Sequence, residues 1–347
     1  MVSIGGVTDA ARTTALDRAL SLPGPVLRRL AGAPLVVDGR TLHPEMQLLL
    51  RLQRLDGPAP ETLPISRGRR VLDAGARATG GRPPIGAVTD RTIDGPGGPL
   101  RLRFYTPRGL VGAAPALVYL HGGGFMYGGL DSHDALCRTL SERAQVRVVA
   151  IDYRLAPEHP FPAAFDDALA GWSWVAAHAT GLGIDPSRLA IGGDSAGGNL
   201  AAAVTLATRR HGVAEPAFQL LIYPTTDMSR TYPSEEKFGE GLLLTTQFIE
   251  LARDSYLVGD EDLTDPRLSP LHGDHAGSPP AHVVTAGFDP LLDEGAALVA
   301  ALEQAGVPVD HHCEERLIHG FANLVGVGRV GPQAVGRVAV ALTRGLS

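Results

Sequence analysis

Residues 192–199 read Gly192-Gly193-Asp194-Ser195-Ala196-Gly197-Gly198-Asn199. The mostly apolar residues 188–191 before them are typical of a short strand, and the alanine-rich residues 200–207 after them are typical of a helix. The central Gly193-x-Ser195-x-Gly197 is the pattern of a nucleophile elbow, a strained strand-to-helix turn that raises a serine clear of a sheet. A glycine-rich turn without chemistry is the alternative, so the choice depends on whether the rest of the chain supplies a base, an acid and an oxyanion hole.

The composition is that of a globular protein with a sizeable core. The chain has 347 residues, of which 44% are hydrophobic and 20% charged, enough for one large α/β domain with an insertion or for two smaller domains. Its net charge of −6 argues against a nucleic-acid partner, and the chain has no polybasic patch for a membrane surface. We interpret the small basic cluster of Arg67, Arg69 and Arg70 as part of a solvated linker.

The cysteines and the N-terminus indicate the compartment. The chain has two cysteines, Cys137 and Cys313, which are too few for a disulfide framework and fit a reducing environment. Because they form no Cys-x-x-Cys pair, we expect no structural zinc. The N-terminus lacks the apolar core of a signal peptide, and no stretch approaches the length of a transmembrane helix. We therefore expect a cytoplasmic protein without stable membrane insertion.

Helix and strand signals divide the chain into four segments. These are an N-terminal helical part of a cap (residues 1–57), the first part of a core (58–224), a cap or lid insertion (225–280) and the second part of the core (281–347). In the first segment the helical pattern breaks at Pro23 and Pro25, then resumes from Pro44 to just before Gly57. We interpret residues 57–84 as a connection with no more than one short helix.

From Ala87 onward, strand and helix signals alternate. A hairpin turning at Gly95-Pro96-Gly97-Gly98 comes first, followed by short apolar runs of the kind buried inside a parallel sheet. This order predicts the α/β class, with a mostly parallel sheet covered by helices on both faces. Strands are predicted at residues 116–120, 146–153, 188–191, 218–223, 282–286 and 309–318, and helices at residues 163–179, 291–304 and 334–344.

Residues 225–280 interrupt this alternation, because the segment is far longer than ordinary connections in such folds. It contains a helix predicted at residues 246–257. Long insertions at the carboxyl edge of an open sheet lie beside the ligand crevice. We therefore interpret the segment as a lid that is built together with the N-terminal helices.

Acyl transfer by a serine needs a base, an acid that orients the base, and donors for an oxyanion. In one recurrent order the acid and then the histidine follow the serine, and Asp289 and His319 meet this order after Ser195. Both come directly after predicted strands, where a site at the carboxyl edge is expected. Asp289 is also suited to cap the following helix. Asp293 and Glu294 are alternative acids, but they fall inside that helix.

The remaining histidines are weaker candidates. His311 and His312 fall within a predicted strand. His272 and His275 flank Asp274 in the insertion, but no further ligands at metal-binding spacing accompany them. We therefore expect no metal site.

The oxyanion donors are expected in His121-Gly122-Gly123-Gly124-Phe125, which follows a predicted strand. Consecutive glycines let the backbone approach a substrate and aim several N–H groups at one point. The amides of Gly123, Gly124 and Ala196 are the predicted donors, and Gly122 is included mainly for its part in shaping the loop. A phosphate-binding loop is the alternative, but the Lys-Ser/Thr ending and the G-x-G-x-x-G spacing are absent.

Together these motifs resemble the hormone-sensitive-lipase family of α/β-hydrolase esterases, from about Pro84 to the end of the chain. The resemblance implies an eight-stranded sheet, a helical cap, no cofactor and a homodimer through the last strand. It also implies a triad of Ser195, Asp289 and His319 that hydrolyses carboxylic esters with short to medium acyl chains. The matching motifs are His121-Gly122-Gly123-Gly124-Phe125, Asp152-Tyr153-Arg154-Leu155-Ala156-Pro157-Glu158-His159-Pro160-Phe161-Pro162-Ala163, Gly193-Asp194-Ser195-Ala196-Gly197-Gly198-Asn199, Asp289-Pro290-Leu291 and His319-Gly320-Phe321.

The resemblance predicts a carboxylesterase that acts on a small-molecule ester through an acyl-enzyme. An amidase or deacetylase would use the same triad, and the sequence does not separate the two. A ligand receptor on this fold would have lost the catalytic base, whereas His319 is present. Phe125, Tyr127 and residues 242–244 are candidates for the walls of the acyl pocket.

Overall fold

A single large sheet forms the scaffold of the molecule, and the computed structural model describes residues 9–347. The first eight residues of the predicted cap segment 1–57, which include the N-terminus assessed for a signal peptide, lie outside the described residues. The strands are β1 (Val36–Val37), β2 (Arg40–Thr41), β3 (Ala87–Gly95), β4 (Gly98–Thr106), β5 (Ala114–Leu120), β6 (Arg147–Asp152), β7 (Ile184–Asp194), β8 (Phe218–Ile222), β9 (Ala281–Phe288) and β10 (Val309–Ile318). The α-helices are α1 (Asp9–Leu20), α2 (Gly24–Ala31), α3 (Pro44–Asp56), α4 (Ile65–Gly80), α5 (Asp134–Ala144), α6 (Ala163–His178), α7 (Ala196–His211), α8 (Pro233–Phe238), α9 (Thr246–Tyr256), α10 (Leu292–Gln304) and α11 (Val330–Gly345).

The main sheet has eight strands in the order β10-β9-β8-β7-β5-β6-β4-β3. Strands β3 and β4 form the predicted hairpin, β4 pairs antiparallel with β6, and the other neighbours pair in parallel. The central strands β5, β8 and β9 are buried almost throughout, because α5 and α11 cover one face while α6, α7 and α10 cover the other. The predicted mostly parallel, eight-stranded sheet with helices on both faces is therefore confirmed.

The connection at residues 57–84 differs from the prediction, because it holds the sixteen-residue helix α4. This helix packs closely through small residues, and its buried members are Gly68, Thr79 and Gly80. A Cβ at Gly68 would overlap the hydroxyl of Tyr127. In the sequence such a glycine is a loop signal, whereas here it permits close contact between the helix and the core.

Helix α5, between β5 and β6, has no counterpart in the sequence prediction. Its buried side includes the polar residues Arg138, Thr139 and Ser141, which are residue types that usually lie at the surface. Local partners satisfy them: Arg138 Nε donates to Asp134 at 2.6 Å, and the Ser141 hydroxyl donates to the Val146 carbonyl at 2.8 Å. Hydrogen bonding of this kind allows polar side chains inside a core, so residue type alone does not reveal which side of the helix is buried.

The N-terminal helices and residues 225–280 contact each other. Lys237 forms an ion pair with Asp38 at 2.6 Å, and Arg54 Nη2 donates to the carbonyl of Gly241 at 2.8 Å. Helix α9 lies where the helix at residues 246–257 is predicted. These contacts are consistent with a cap made from both segments, although the division of the chain into four parts stays a prediction.

Helix α3 is joined to the core by a buried carboxylate. Glu45 Oε2 accepts hydrogen bonds from the amides of Arg329 at 2.8 Å and Val330 at 3.1 Å, at the start of α11. A negative charge at this end of a helix is favoured by the helix dipole and by the otherwise unpaired N–H groups. Within residues 9–347, no helix combines the length and the apolar character needed to cross a bilayer.

Candidate active site

Ser195 stands at the junction of β7 and α7, in the turn predicted as a nucleophile elbow. Its φ of 56° and ψ of −121° place a non-glycine residue in a sparsely populated region of backbone space. A Cβ at Gly193 or at Gly197 would overlap the carbonyl oxygen of Leu120 in β5. Both glycines are therefore required for the close approach of the turn to the neighbouring strand.

The structure brings Ser195, His319 and Asp289 together. His319 Nε2 lies 3.0 Å from Ser195 Oγ, and His319 Nδ1 lies 2.8 Å from Asp289 Oδ2. Asp289 is completely buried, and its other oxygen accepts the amide of Leu291 at 2.9 Å. An acceptor-only carboxylate beside Nδ1 assigns the proton to that nitrogen and leaves Nε2 free to accept from the serine. Asp289 thus orients the histidine and also caps the turn before α10.

The alternative acids point elsewhere. Asp293 accepts the amide of Ser234 at 2.9 Å, and Glu294 accepts the amide of Thr226 at 2.6 Å. Both carboxylates join α10 to the start of the insertion rather than to His319.

The other histidines also have separate partners. His272 Nε2 lies 3.0 Å from Asp227 Oδ1, so it pairs across the base of the insertion rather than with Asp274. His311 and His312 lie on β10, as predicted. Within residues 9–347, no three His, Cys, Asp or Glu side chains are grouped in a way that could hold a metal ion.

The glycine loop after β5 contains the residues that are predicted as oxyanion donors. Gly123 and Gly124 have φ values of 122° and 61°, which favour glycine, and none of the hydrogen bonds in residues 9–347 uses their amides. Ala196 is the first residue of α7, where an N–H group has no acceptor in a preceding turn. The amide of Gly122 instead donates to Asp194 Oδ1 at 3.0 Å. The amide of Gly122 is thus occupied by a carboxylate, which sets it apart from the other three expected oxyanion residues.

Asp194 is the centre of a buried polar network behind the nucleophile. It accepts from Tyr119 Oη at 2.7 Å and Asn323 Nδ2 at 3.4 Å, and it lies 3.3 Å from His133 Nε2. Burial by itself would raise the pKa of Asp194. The charge of His133 and the hydrogen bonds from His133 and Tyr119 have the opposite effect, and together they lower the pKa to about 2. A charged carboxylate therefore holds Gly122 at the start of the glycine loop. Tyr119, His133 and Asn323 belong to no motif used in the prediction, so sequence reasoning missed them.

Helix α9 and the loop before it cover the cleft. A Cβ added at Gly124 would lie 2.9 Å from Ala252 Cβ and from Phe248 Cε1, and one added at Gly320 would lie 2.8 Å from Leu243 Cδ2. Phe248 and Leu243 keep part of their surface open to solvent. Phe125 and Tyr127 are buried, and their part in an acyl pocket stays a prediction. The insertion therefore places side chains next to both the glycine loop and the residue after His319.

Comparison with known proteins identifies the family. The profile of a protein family described as alpha/beta hydrolase fold matches residues 117–323. The chain belongs to the α/β-hydrolase family. The carboxylic ester hydrolase LipN of Mycobacterium tuberculosis is 44% identical to this α/β-hydrolase over 318 residues, covering 88% of the chain and 84% of LipN. The ethyl acetate hydrolase of Pseudomonas putida is 40% identical over 299 residues, covering 82% of the chain and 93% of that enzyme.

Solved structures give the same assignment. An α/β-hydrolase enzyme from the metagenome of Lake Arreo matches with a TM-score of 0.84 and 42% identity, covering 87% of this chain and 98% of that one. The esterase of the archaeon Pyrobaculum calidifontis matches with a TM-score of 0.82 and 35% identity over the same shares. The predicted α/β-hydrolase fold and the resemblance to the hormone-sensitive-lipase family are confirmed.

Glu294 is a buried carboxyl group of this α/β-hydrolase whose ionisation opposes folding. Burial, reinforced by the negative charges of Asp227 and Asp289, raises its pKa well above the usual value. A group with a raised pKa in the folded state stabilises the protein below its unfolded pKa of about 4.3, and this contribution is lost as the pH rises towards the folded value. At neutral and alkaline pH the free energy of unfolding of the wild type should therefore be lower than that of a variant with an uncharged side chain of the same shape at this position.

We expect Glu294→Gln to raise Tm relative to wild type by about 2 °C or more at pH 8, and by less at pH 5. The glutamine oxygen can still accept the amide of Thr226, so the hydrogen bond survives. Thermal unfolding followed by circular dichroism at both pH values measures the effect. Glu303→Gln on the exposed side of the same helix is the control and should change Tm little. An equal Tm difference for Glu294→Gln at both pH values would contradict the assignment.

Proposed function

We propose that this chain, a carboxylic ester hydrolase, cleaves small esters through an acyl-enzyme formed on Ser195. The observation that carries the proposal is the continuous series of contacts from Ser195 Oγ through His319 to the buried Asp289, at 3.0 Å and 2.8 Å. This is the geometry that lets an imidazole remove a hydroxyl proton while a carboxylate holds its tautomer. Relatives named carboxylic ester hydrolase and ethyl acetate hydrolase support the same reaction.

In the proposed mechanism His319 Nε2 takes the proton of Ser195, whose oxygen attacks the ester carbonyl carbon. The amides of Gly123, Gly124 and Ala196 stabilise the resulting oxyanion, and the loss of one such donor typically costs about 3 kcal/mol of barrier. His319 then protonates the leaving alcohol. A water molecule, activated by the same nitrogen, hydrolyses the acyl-enzyme and frees the serine.

The substrates proposed are esters with short to medium acyl chains. Phe248 and Ala252 of α9 lie close over Gly124, and Leu243 lies close over Gly320. These side chains place apolar groups beside the glycine loop and beside the residue after His319, which supports a small apolar acyl site. The ethyl acetate hydrolase among the relatives supports a preference for small acyl groups.

Labelling with a fluorophosphonate tests the acyl-enzyme mechanism. We expect one equivalent of label on the peptide that contains Ser195, detected by mass spectrometry, and much slower labelling of His319→Ala. Labelling of a different serine would contradict the mechanism. No labelling of the active protein would indicate a receptor rather than an enzyme.

A matched pair of substrates separates the ester hydrolase from the amidase or deacetylase alternative, because both would use the same triad. We expect p-nitrophenyl acetate to be hydrolysed far faster than p-nitroacetanilide, which carries the same acyl group on an amide. A higher kcat/KM for the anilide would favour the amidase.

Assembly and location complete the proposal. Strand β10 pairs with β9 on one side and lies at the edge of the sheet, so we infer a homodimer through this last strand. A mass of twice 36.3 kDa by light scattering would support it, and a monomer mass would contradict it.

The free thiols of Cys137 and Cys313 support a cytoplasmic location.

A further inference from the structure

Arg69 on α4 binds two different loops with one guanidinium group. Its Nε donates to the carbonyl of Met126 at 2.8 Å, and its Nη2 donates to the carbonyl of Ala156 at 2.8 Å. Nη1 and Nη2 also donate to the two oxygens of Glu158 at 2.8 Å and 2.6 Å. Only 25% of the Arg69 side chain is exposed. The interpretation of this arginine as part of a solvated linker is therefore wrong.

The carbonyl of Met126 belongs to the turn that contains the proposed oxyanion donors. The amides of Met126 and Tyr127 donate back to the carbonyl of Gly123 at 3.2 Å and 2.9 Å, so residues 123–127 form one closed turn. The neighbouring carbonyl of Phe125 accepts the amide of Ala156 at 2.9 Å. A displacement of Met126 would therefore move Gly123 and Gly124 with it.

The other end of the glycine loop is fixed independently. The hydroxyl of Tyr153 donates to the carbonyl of His121 at 2.6 Å, and the two rings stack with their centroids 4.1 Å apart. Asp194 holds Gly122, as described above. Arg69 is thus a side-chain anchor at the downstream end of the loop, opposite the anchors at His121 and Gly122.

The chemistry of these contacts requires arginine. A guanidinium presents several donors in a fixed plane and can serve two carbonyls and a carboxylate at once, whereas a lysine ammonium is a single flexible point. The other arginines of the cluster differ from Arg69. Arg67 and Arg70 are exposed on the same helix.

We propose that Arg69 is a positioning residue that sets the aim of the Gly123 and Gly124 amides at the oxyanion. The proposal rests on the acyl-enzyme mechanism proposed above. It also gives α4 a part in the reaction, because the helix carries the residue that fastens the oxyanion loop to residues 154–158.

The test compares Arg69→Ala, Arg69→Lys and the matched control Arg70→Ala in the full-length protein. We measure kcat and KM for p-nitrophenyl acetate and the Ki of a trifluoromethyl ketone, whose adduct with the serine places an oxyanion in the same site. For Arg69→Ala we expect kcat to fall by about 10-fold or more, Ki to rise by a similar factor, and KM to change by less than about 2-fold. Arg69→Lys should recover part of the loss, and Arg70→Ala should match wild type.

The outcomes separate positioning from stability. Unchanged kcat and Ki in Arg69→Ala, with only a lower Tm, would overturn the proposal. If Arg69→Ala does not fold, Arg69→Lys decides, and wild-type kcat and Ki in that variant would overturn the proposal in the same way. Absence of phosphonate labelling at Ser195 in wild type would instead contradict the mechanism itself, so the two failures are distinguishable.

Discussion

Ser195→Ala should abolish hydrolysis of p-nitrophenyl acetate, with kcat lowered by about 10⁶-fold. The methyl group removes the nucleophile while the histidine, the acid and the glycine loop stay in place. KM, or the affinity for a non-hydrolysed ester analogue, should change much less, since the change deletes an interaction made only on the way to the transition state. Steady-state kinetics with purified protein measures the loss.

The control for this variant is Ser187→Ala. Ser187 is an exposed serine near the start of β7, at the end of the strand opposite Ser195, where its hydroxyl donates to Asp185 at 2.6 Å. It should retain wild-type kcat. Retention of more than about 1% of wild-type activity by Ser195→Ala, at a fold confirmed by circular dichroism, would refute the proposed nucleophile.

Asp289→Asn should lower kcat by about 10⁴-fold with little change in the fold. The amide nitrogen of asparagine can donate to His319 Nδ1, which would shift the imidazole proton to Nε2. A protonated Nε2 faces Ser195 Oγ as a donor and cannot act as a base. Kinetics at pH 7 to 9 measures the loss.

Asp293→Asn is the matched control, because Asp293 is the nearby alternative acid and accepts the amide of Ser234 rather than a histidine proton. We expect kcat of this variant to stay within a few-fold of wild type. Full activity in Asp289→Asn, or a loss confined to Asp293→Asn, would reassign the acid.

Local signals made much of the site predictable. The elbow needs Gly193 and Gly197 wherever a serine turns this tightly against a neighbouring strand, so the requirement is written in a few adjacent residues. Asp289 and His319 directly follow β9 and β10, and the ends of parallel strands meet at one edge of the sheet. The triad could thus be assembled from the order and the local context of single residues.

Residues that act through distant contacts left no such signal. The orientation of the Gly122 amide depends on Asp194, which lies 72 residues further along the chain. Arg69 and Glu158 are separated by 89 residues and are each ordinary surface residue types in the sequence. His133 lies outside every motif from which the site is predicted. Hydrogen bonds between loops are fixed by the folded geometry, and neither hydrophobic periodicity nor motif spacing records them.

The same reasoning explains why the sequence does not predict the length of α4 or the presence of α5. Helix α4 buries Gly68, Thr79 and Gly80, and α5 buries Arg138 and Ser141, which are residue types that usually mark turns or exposed positions. Helices α3 and α10 instead bury large apolar side chains such as Met46, Leu49 and Leu298, and their bounds agree closely with the prediction. The difference is whether the contact surface of the helix is made by large apolar side chains or by small and hydrogen-bonded ones.

The charge on Asp194 makes the cleft a single cooperative unit. Asp194 is the last residue of β7, and its carboxylate, with almost no exposure to water, accepts from Gly122 in the glycine loop and from Asn323 in the segment after β10. Moving either of these two segments outward would leave a buried negative charge short of a partner, which costs far more free energy than the loss of an apolar contact. Partial opening of one wall of the cleft is therefore disfavoured, and local unfolding of this region would involve both segments and the end of β7 together.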